Sequence, residues 1–124
     1  MSKNLWPDFN VDHTPRSPRS ILEEAGSGLE EKTSGLVQFY VGTPSVKDNK
    51  MEIPASLYVP SLPYFYPFLR VIFAIDSFYP LRIVADKIEE IVANSENELI
   101  DSLGRILSAD STRESIERLI SISK

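Results

Sequence analysis

The sequence predicts a small α+β domain in which an N-terminal helix precedes an antiparallel sheet and two helices follow it. Three observations lead to this class. Apolar residues have helical spacing near both ends of the chain, β-branched and aromatic residues fill its middle, and only short connections separate the middle segments. Because short connections join antiparallel neighbours, we expect a meander of four to five strands with the helices packed on one face.

The length of 124 residues suits one domain preceded by an extended arm. We expect the arm over residues 1–16, where two prolines interrupt a stretch with no apolar period, and the α+β domain over residues 17–124. Within the arm, "LWPDF" places Trp6 and Phe9 around a proline, which is typical of a short docking segment. The alternative is that the arm folds back over its own core, because an exposed tryptophan is uncommon.

The first helix is expected to begin near Ser17, because a serine followed by proline suits an N-cap and the first helical position. Ser20 with Glu23 forms an alternative capping box one turn later. Four apolar residues share one helical face: Ile21, Leu22, Ala25 and Leu29. We expect the helix to end at Gly35, since glycine commonly terminates helices.

Four segments in the middle of the chain favour strands, namely residues 36–42, 51–59, 69–76 and 78–86. Pro54 predicts that the second of them lies at an edge or contains a bulge. The polar residues 43–50 predict a turn. Residues 87–93 combine helical spacing with a short length, and we favour an extended edge strand for them.

The C-terminal residues 95–124 predict two amphipathic helices. Ser95 with Glu98, and Ser111 with Glu114, each have the spacing of a capping box. An apolar stripe follows each box at intervals of three and four residues, so both helices have one face suited to packing on the sheet.

Composition excludes several functional classes. The chain has no cysteine, which removes disulfides, thiolate nucleophiles and cysteine-based metal sites. Its first residues lack the apolar core of a signal peptide, and its longest apolar run, "VIFAI", is too short for a membrane helix, so we expect a cytoplasmic protein with no membrane partner. The net charge of −5 comes without a basic segment, which argues against nucleic acid as a partner.

The residues that commonly carry catalysis are sparse or isolated. The one histidine, His13, lies in the unpatterned arm, and the five glycines form no phosphate-binding motif. Adjacent carboxylates such as Glu89 and Glu90 point in different directions on a strand or helix. We therefore predict no catalytic residue, no metal site and no cofactor, and an enzyme that uses carboxylates is the less favoured alternative.

The segment "PSLPYFYPFLR", residues 60–70, combines three prolines with Tyr64, Phe65, Tyr66 and Phe68. Since proline removes a backbone donor and fixes φ, we expect a stiff loop between two strands. Three interpretations stay open for its rings: packing in the core, contact with a second copy of the chain, or contact with another partner. The exposure of Tyr64 and Tyr66 would distinguish among them.

The function that we expect is therefore a non-catalytic protein-interaction module, such as an immunity- or inhibitor-type accessory protein of a bacterium or phage. Its partner is a protein of unknown identity, and a homodimer is a further expectation. The expected contact residues are those of the aromatic loop, the arm and the following strand: Tyr64, Phe65, Tyr66, Phe68, Trp6, Phe9, Phe78 and Tyr79. The alternative is a small-ligand pocket between the sheet and the C-terminal helices.

Overall fold

Helices stand before and after one antiparallel sheet, which confirms the α+β class; the structure is a computed structural model that describes residues 4–124. The helices are α1 (Pro18–Gly26), α2 (Leu29–Lys32), α3 (Glu96–Leu107) and α4 (Asp110–Ser123). The strands are β1 (Gln38–Val41), β2 (Ser45–Lys47), β3 (Lys50–Val59), β4 (Tyr64–Ala74), β5 (Ser77–Ala85) and β6 (Ile88–Ala93). The extended edge expected over residues 87–93 is thus confirmed as β6.

The strand order is β1-β3-β4-β5-β6, a meander, and β2 pairs with β3 beside it. β4 pairs along the whole of β3, so β1 and β2 share the other side of β3. The turn predicted over residues 43–50 is wrong in part, because β2 forms there. Asp48 and Asn49 have φ angles of 52° and 64° and close a two-residue hairpin from β2 to β3, as in the turns that join tightly paired strands.

Pro54 lies in an interior strand, which corrects the expectation of an edge. Its carbonyl oxygen accepts a hydrogen bond from the backbone N–H of Gly42 at 2.8 Å. β1 ends opposite Ala55, and β2 reaches only to Glu52, so Pro54 lies in the gap between them, where no strand requires its missing donor. The register of β3 against β4 shifts just after Ala55, where β4 carries the extra residue Phe68, so the bulge lies in the strand beside Pro54 and not in β3 as expected.

Residues 60–70 are not a loop along their length, which corrects the prediction for the aromatic segment. Only residues 60–63 form the turn, and Tyr64 begins β4. Pro67 is accommodated because β5 first pairs with β4 at Leu69, so the start of β4 has a strand on one side only. The prolines therefore shape the turn and the bulge, and the aromatic residues belong to the sheet.

The helices cover one face of the sheet. In β3 the side chains of Ile53, Ala55, Leu57 and Val59 are buried, while the residues between them are half-buried or exposed. α1 packs on β1, α3 on β5 and β6, and α4 on β3. Among the described residues no helix lies on the opposite side, which we call the open face.

Two helix starts agree with the sequence and one does not. Ser17 caps α1 by accepting a hydrogen bond from the N–H of Ser20 at 3.1 Å, and Ser95 caps α3 by accepting one from the N–H of Glu98 at 3.2 Å. The box predicted at Ser111 is wrong, because α4 begins at Asp110 and Ser111 lies inside its first turn.

The first helix is also shorter than predicted. It ends at Gly26, and the single turn α2 follows before Gly35, which has a φ of +81°. Glycines at 26 and 28 lower the helix propensity of this segment, which favours the break. Within residues 4–124, none of the helices has both the length and the apolar composition to cross a lipid bilayer.

Candidate binding surface

Half of the predicted contact residues lie away from the aromatic end of β4. Trp6 and Phe9 are on the arm, where their side chains are 77% and 69% exposed. Phe78 and Tyr79 begin β5 and pack against the core, and the ring of Phe78 meets that of Phe73 with centroids 5.7 Å apart. The eleven residues of β4 span roughly 35 Å, so the start of β5 and the start of β4 lie at opposite ends of the sheet.

The four rings of the aromatic segment have different surroundings. Phe68 is a core residue whose ring lies edge-on to that of Phe39, with centroids 6.3 Å apart. Tyr64 is 46% exposed at the start of β4, and Tyr66 is half-buried on the helix side. Phe65 is 46% exposed on the open face. The structure therefore does not gather these rings into one surface, since the pleat of β4 sends neighbours to opposite sides.

Tyr66 connects the start of β4 with the turn between β5 and β6. Its hydroxyl donates a hydrogen bond to Oδ2 of Asp86 at 2.7 Å. That bond, which requires the phenolic proton, raises the pKa of Tyr66 above its usual value; partial desolvation adds to the effect, and Ser115 and Arg118 of α4 oppose it. The hydroxyl is therefore engaged within the domain.

Tyr79 is a structural residue of the opposite end of the sheet. Its hydroxyl oxygen is shielded from solvent and has no hydrogen-bond partner among the described residues. Burial raises the pKa of Tyr79, the negative charge of Glu96 adds to the effect, and Arg16 opposes it. The hydroxyl of Tyr79 therefore faces the interior, while other atoms of Tyr79 line a groove of the open face that is described below.

Three aromatic rings meet on the open face, and we call them the ring cluster. Phe65 lies between Tyr58, with ring centroids 4.4 Å apart, and Tyr40, with centroids 5.1 Å apart. The register places Tyr58 opposite Phe65 and Tyr40 opposite Ser56, so the cluster crosses β1, β3 and β4. Tyr40 and Phe65 remain 49% and 46% exposed.

A shallow groove of about 390 Å³ continues from the ring cluster across the open face. Its lining includes Pro54 and Pro67, which have rigid backbones, and Arg70. The Nε of Arg70 lies 3.4 Å from Oε1 of Glu52, and both side chains are about half exposed. The pair contributes little to stability at that exposure, which leaves its charges accessible to a partner.

A second groove, of about 420 Å³, lies at the other end of the open face, and we call it the basic groove. Its lining is mainly apolar with two cationic side chains, and includes Ile72, Pro80, Val92, Lys50 and Arg82. Arg82 pairs with Glu90 at 2.5 Å, whereas Lys50 forms no ion pair among the described residues. The basic groove therefore combines apolar surface with an available positive charge.

A third groove, of about 300 Å³, lies where the alternative hypothesis expects a ligand pocket. Phe39, Leu57 and Phe68 of the sheet line it, and residues of α1 and α4 form its walls. Lys32 is the one charged residue among the described residues that line it, and the hydroxyl of Thr112 already donates to the carbonyl oxygen of Ile106 at 2.6 Å. Few polar groups are thus free to orient a ligand.

The described residues contain no group of three His, Asp or Glu side chains placed to hold a metal ion. His13 lies on the exposed arm, where its backbone N–H donates to the carbonyl oxygen of Asn10 at 3.1 Å. That the chain is not an enzyme and uses no cofactor stays a prediction.

Tyr40 and Tyr58 are not among the contact residues expected from the sequence. The alternation of β3 points to Tyr58, because Glu52, Pro54, Ser56 and Tyr58 alternate with buried aliphatic residues. We compared the chain with models of protein families, with curated proteins and with solved structures, and none of the three comparisons gives a match. Function must therefore be inferred from the surfaces themselves.

Proposed function

We propose that this chain is a non-catalytic protein-interaction module whose partner binds the aromatic end of the open face. The ring cluster carries the proposal, because the ring of Phe65 contacts those of Tyr58 and Tyr40 on a sheet surface that no helix of the described chain covers. Aromatic residues are enriched at the centres of protein interfaces, where their area is buried at little conformational cost.

The surroundings of the ring cluster resemble the anatomy of an interface. The adjacent groove provides a concave surface of mixed polar and apolar lining, in which the Arg70–Glu52 pair supplies charged groups. The three residues of the cluster lie on paired strands, so little conformational entropy is lost when a partner binds. The contact surface proposed from the structure is thus a sheet face that includes Phe65, in place of a loop.

A protein is a better partner for this surface than nucleic acid. The net charge of the chain is −5, and the cationic side chain nearest to the groove, Arg70, is paired with Glu52. More specifically, we propose an immunity- or inhibitor-type accessory protein of a bacterial or phage cytoplasm. This step rests on analogy of size and charge, because a small acidic domain suits such a role.

Affinity capture from the native host tests the proposal. The test variant combines Tyr40→Ser with Phe65→Ser, two half-exposed residues whose loss leaves the core intact. The matched control combines Ile100→Ser with Ile122→Ser, which remove apolar surface from the exposed sides of α3 and α4. We expect the test variant to lose the captured protein while the control retains it, with thermal midpoints close to that of the parent chain. Equal capture by both variants would refute the proposal.

A second candidate function is the binding of a small apolar ligand in the groove of about 300 Å³ between the sheet and the helices. The observation that favours it is the size of this groove, which reaches the lower range of ligand pockets. A thermal-shift screen with apolar acids, repeated on Gly28→Leu, tests it, because a side chain at position 28 has open space beside the groove. A ligand that stabilises the parent chain but not the variant would support this candidate.

A further inference from the structure

The arm carries the most exposed large apolar side chains of the described chain. Four residues within seven positions are 69–85% exposed: Leu5, Trp6, Phe9 and Val11. Among the described residues, the hydrogen bonds of residues 4–13 join only members of that segment. Because apolar surface in water is unfavourable, a segment of this composition is suited to burial against another surface.

One stretch of the arm complements a surface of the same chain. Residues 4–15 contain Asp8 and Asp12 and neither lysine nor arginine, so this stretch is acidic, while Lys3 and Arg16 at its two ends balance the charge of the whole arm. The basic groove presents Lys50, which has no carboxylate partner among the described residues, beside an apolar lining, and Lys47 pairs in register with Lys50 on the neighbouring strand. Its other cation, Arg82, is paired with Glu90. Apolar side chains alternating with carboxylates thus meet apolar surface bordered by the ammonium group of Lys50.

We propose that residues 5–12 of one copy of this chain dock in the basic groove of a second copy, and that the exchange is reciprocal in a homodimer. Trp6 and Phe9 enter the apolar lining, and Asp8 between them faces Lys50. This inference goes beyond the proposed function, because the basic groove and the ring cluster lie at opposite ends of the open face.

The geometry favours a second copy over the arm's own domain. Arg16 joins the end of the arm to Glu24 of α1, with Nη2 and Oε2 2.5 Å apart. α1 packs on the helix side of the sheet, and the arm does not occupy its own basic groove in this structure, since its four large apolar side chains are 69–85% exposed. In an exchange between two copies, each arm reaches the groove of the other copy and keeps the Arg16–Glu24 pair of its own domain.

The area available is sufficient for a dimer. An aromatic side chain buries roughly 150–250 Å². The two rings of one arm and the groove surface that covers them together bury roughly 600 Å² or more. A dimer contains two such contacts, so it buries roughly 1,200 Å² or more, which is the lower end of the range for specific interfaces. A reciprocal exchange therefore buries the area of a small specific interface.

Sedimentation and fluorescence of the full chain test the exchange together. Trp6 is the only tryptophan, so its emission reports on the arm alone. We expect a monomer–dimer equilibrium in sedimentation, and an emission maximum that moves to shorter wavelength as concentration rises. Trp6→Ser with Phe9→Ser should weaken association by more than about thirtyfold, since that is the loss typical of a single aromatic residue at the centre of an interface. Ile122→Ser, which removes exposed apolar surface elsewhere, should not.

A charge exchange identifies the groove. Asp8→Lys alone and Lys50→Glu alone should each weaken association, and the two combined in one chain should restore it. The ring-cluster variant Tyr40→Ser with Phe65→Ser should associate as the parent chain does, which separates this inference from the proposed function. A chain that stays monomeric, a blue-shifted Trp6 emission that is independent of concentration, or undiminished association of the arm variant would each overturn the proposal.

Discussion

The hydroxyl of Tyr79 is a polar group that the fold shields from water without giving it a partner among the described residues. An unsatisfied buried donor costs free energy, and phenylalanine fills the same space without it. We therefore expect Tyr79→Phe to raise the free energy of unfolding by about 1 kcal/mol. Chemical denaturation of both chains measures this difference. A clear loss of stability in the variant would mean that the hydroxyl has a partner in solution.

Tyr66 gives stability a pH dependence at the alkaline end. Its pKa in the folded chain lies above the usual value of 10.0 because its hydroxyl donates to Asp86. Folding favours the protonated phenol, so this contribution is fully present below pH 10.0 and is lost as the pH rises through the raised pKa. The phenolate absorbance that Tyr66→Phe removes should therefore appear above pH 10. In Asp86→Ala, Tyr66 should titrate closer to its usual pKa.

The contrast between Phe65 and Tyr66 explains why the proposed contact surface could be predicted only in part. Composition marked the aromatic segment as unusual. Which ring reaches the open face depends on register, because a strand alternates its side chains and a shift of one residue exchanges the two faces. A loop has no such alternation, so the predicted loop over residues 60–70 gave no indication that Phe65 pairs with Tyr58.

At the scale of elements, the two predicted serine caps of the C-terminal helices provide an internal comparison. Ser95 accepts a hydrogen bond from the N–H of Glu98, whereas Ser111 lies within the first turn of α4 and caps nothing there. We expect Ser95→Ala to lower the free energy of unfolding by about 1 kcal/mol and Ser111→Ala to change it by less than about 0.5 kcal/mol. Equal effects in thermal or denaturant unfolding would contradict this assignment of the helix starts.

Two helical glycines should respond to alanine with opposite signs. A Cβ at Gly26 would lie 2.1 Å from Cδ2 of Phe39, so α1 can approach β1 only without a side chain there. A Cβ at Gly104 in α3 would meet nothing within 4 Å. Gly26→Ala should cost about 1–3 kcal/mol through overpacking, and Gly104→Ala should gain about 0.5–1 kcal/mol through helix propensity. Destabilisation by both substitutions, in paired denaturant titrations, would contradict the account of Gly26.

Local signals predicted most elements, and the failures occur where tertiary pairing decides. β2 was missed because its three residues, Ser45–Lys47, are exposed and carry no apolar alternation. Pro54 suggested an edge because the sequence does not show that two short strands share one side of β3 and leave a gap at the proline. Both errors concern which strand lies beside which, a non-local property.

At the scale of the whole molecule, fold class was predictable because successive strands pair with each other through short connections. Each helix has one apolar face, and each strand alternates apolar and polar side chains. Such elements can bury their apolar residues in few ways, and the simplest is to pack the helices on one side of a meander sheet. The open face follows from the same pattern, since half the residues of each strand face away from the helices. Its partner does not follow from that pattern, because the ring cluster and the basic groove specify chemistry and not identity.

The relation between the arm and the domain gives a final prediction for the whole molecule. The four apolar side chains of the arm are at least 69% exposed, so replacing all of them with serine should leave the stability of the monomer unchanged. The parent chain should gain stability as concentration rises, because dimer formation favours the folded state by mass action, and the serine variant should show no such gain. Thermal midpoints of both chains at micromolar and at hundredfold higher concentration measure this. A lower midpoint of the variant in dilute solution would mean that the arm packs on its own domain. An equal dependence of the midpoint on concentration in both chains would mean that the arm does not contribute to dimer formation.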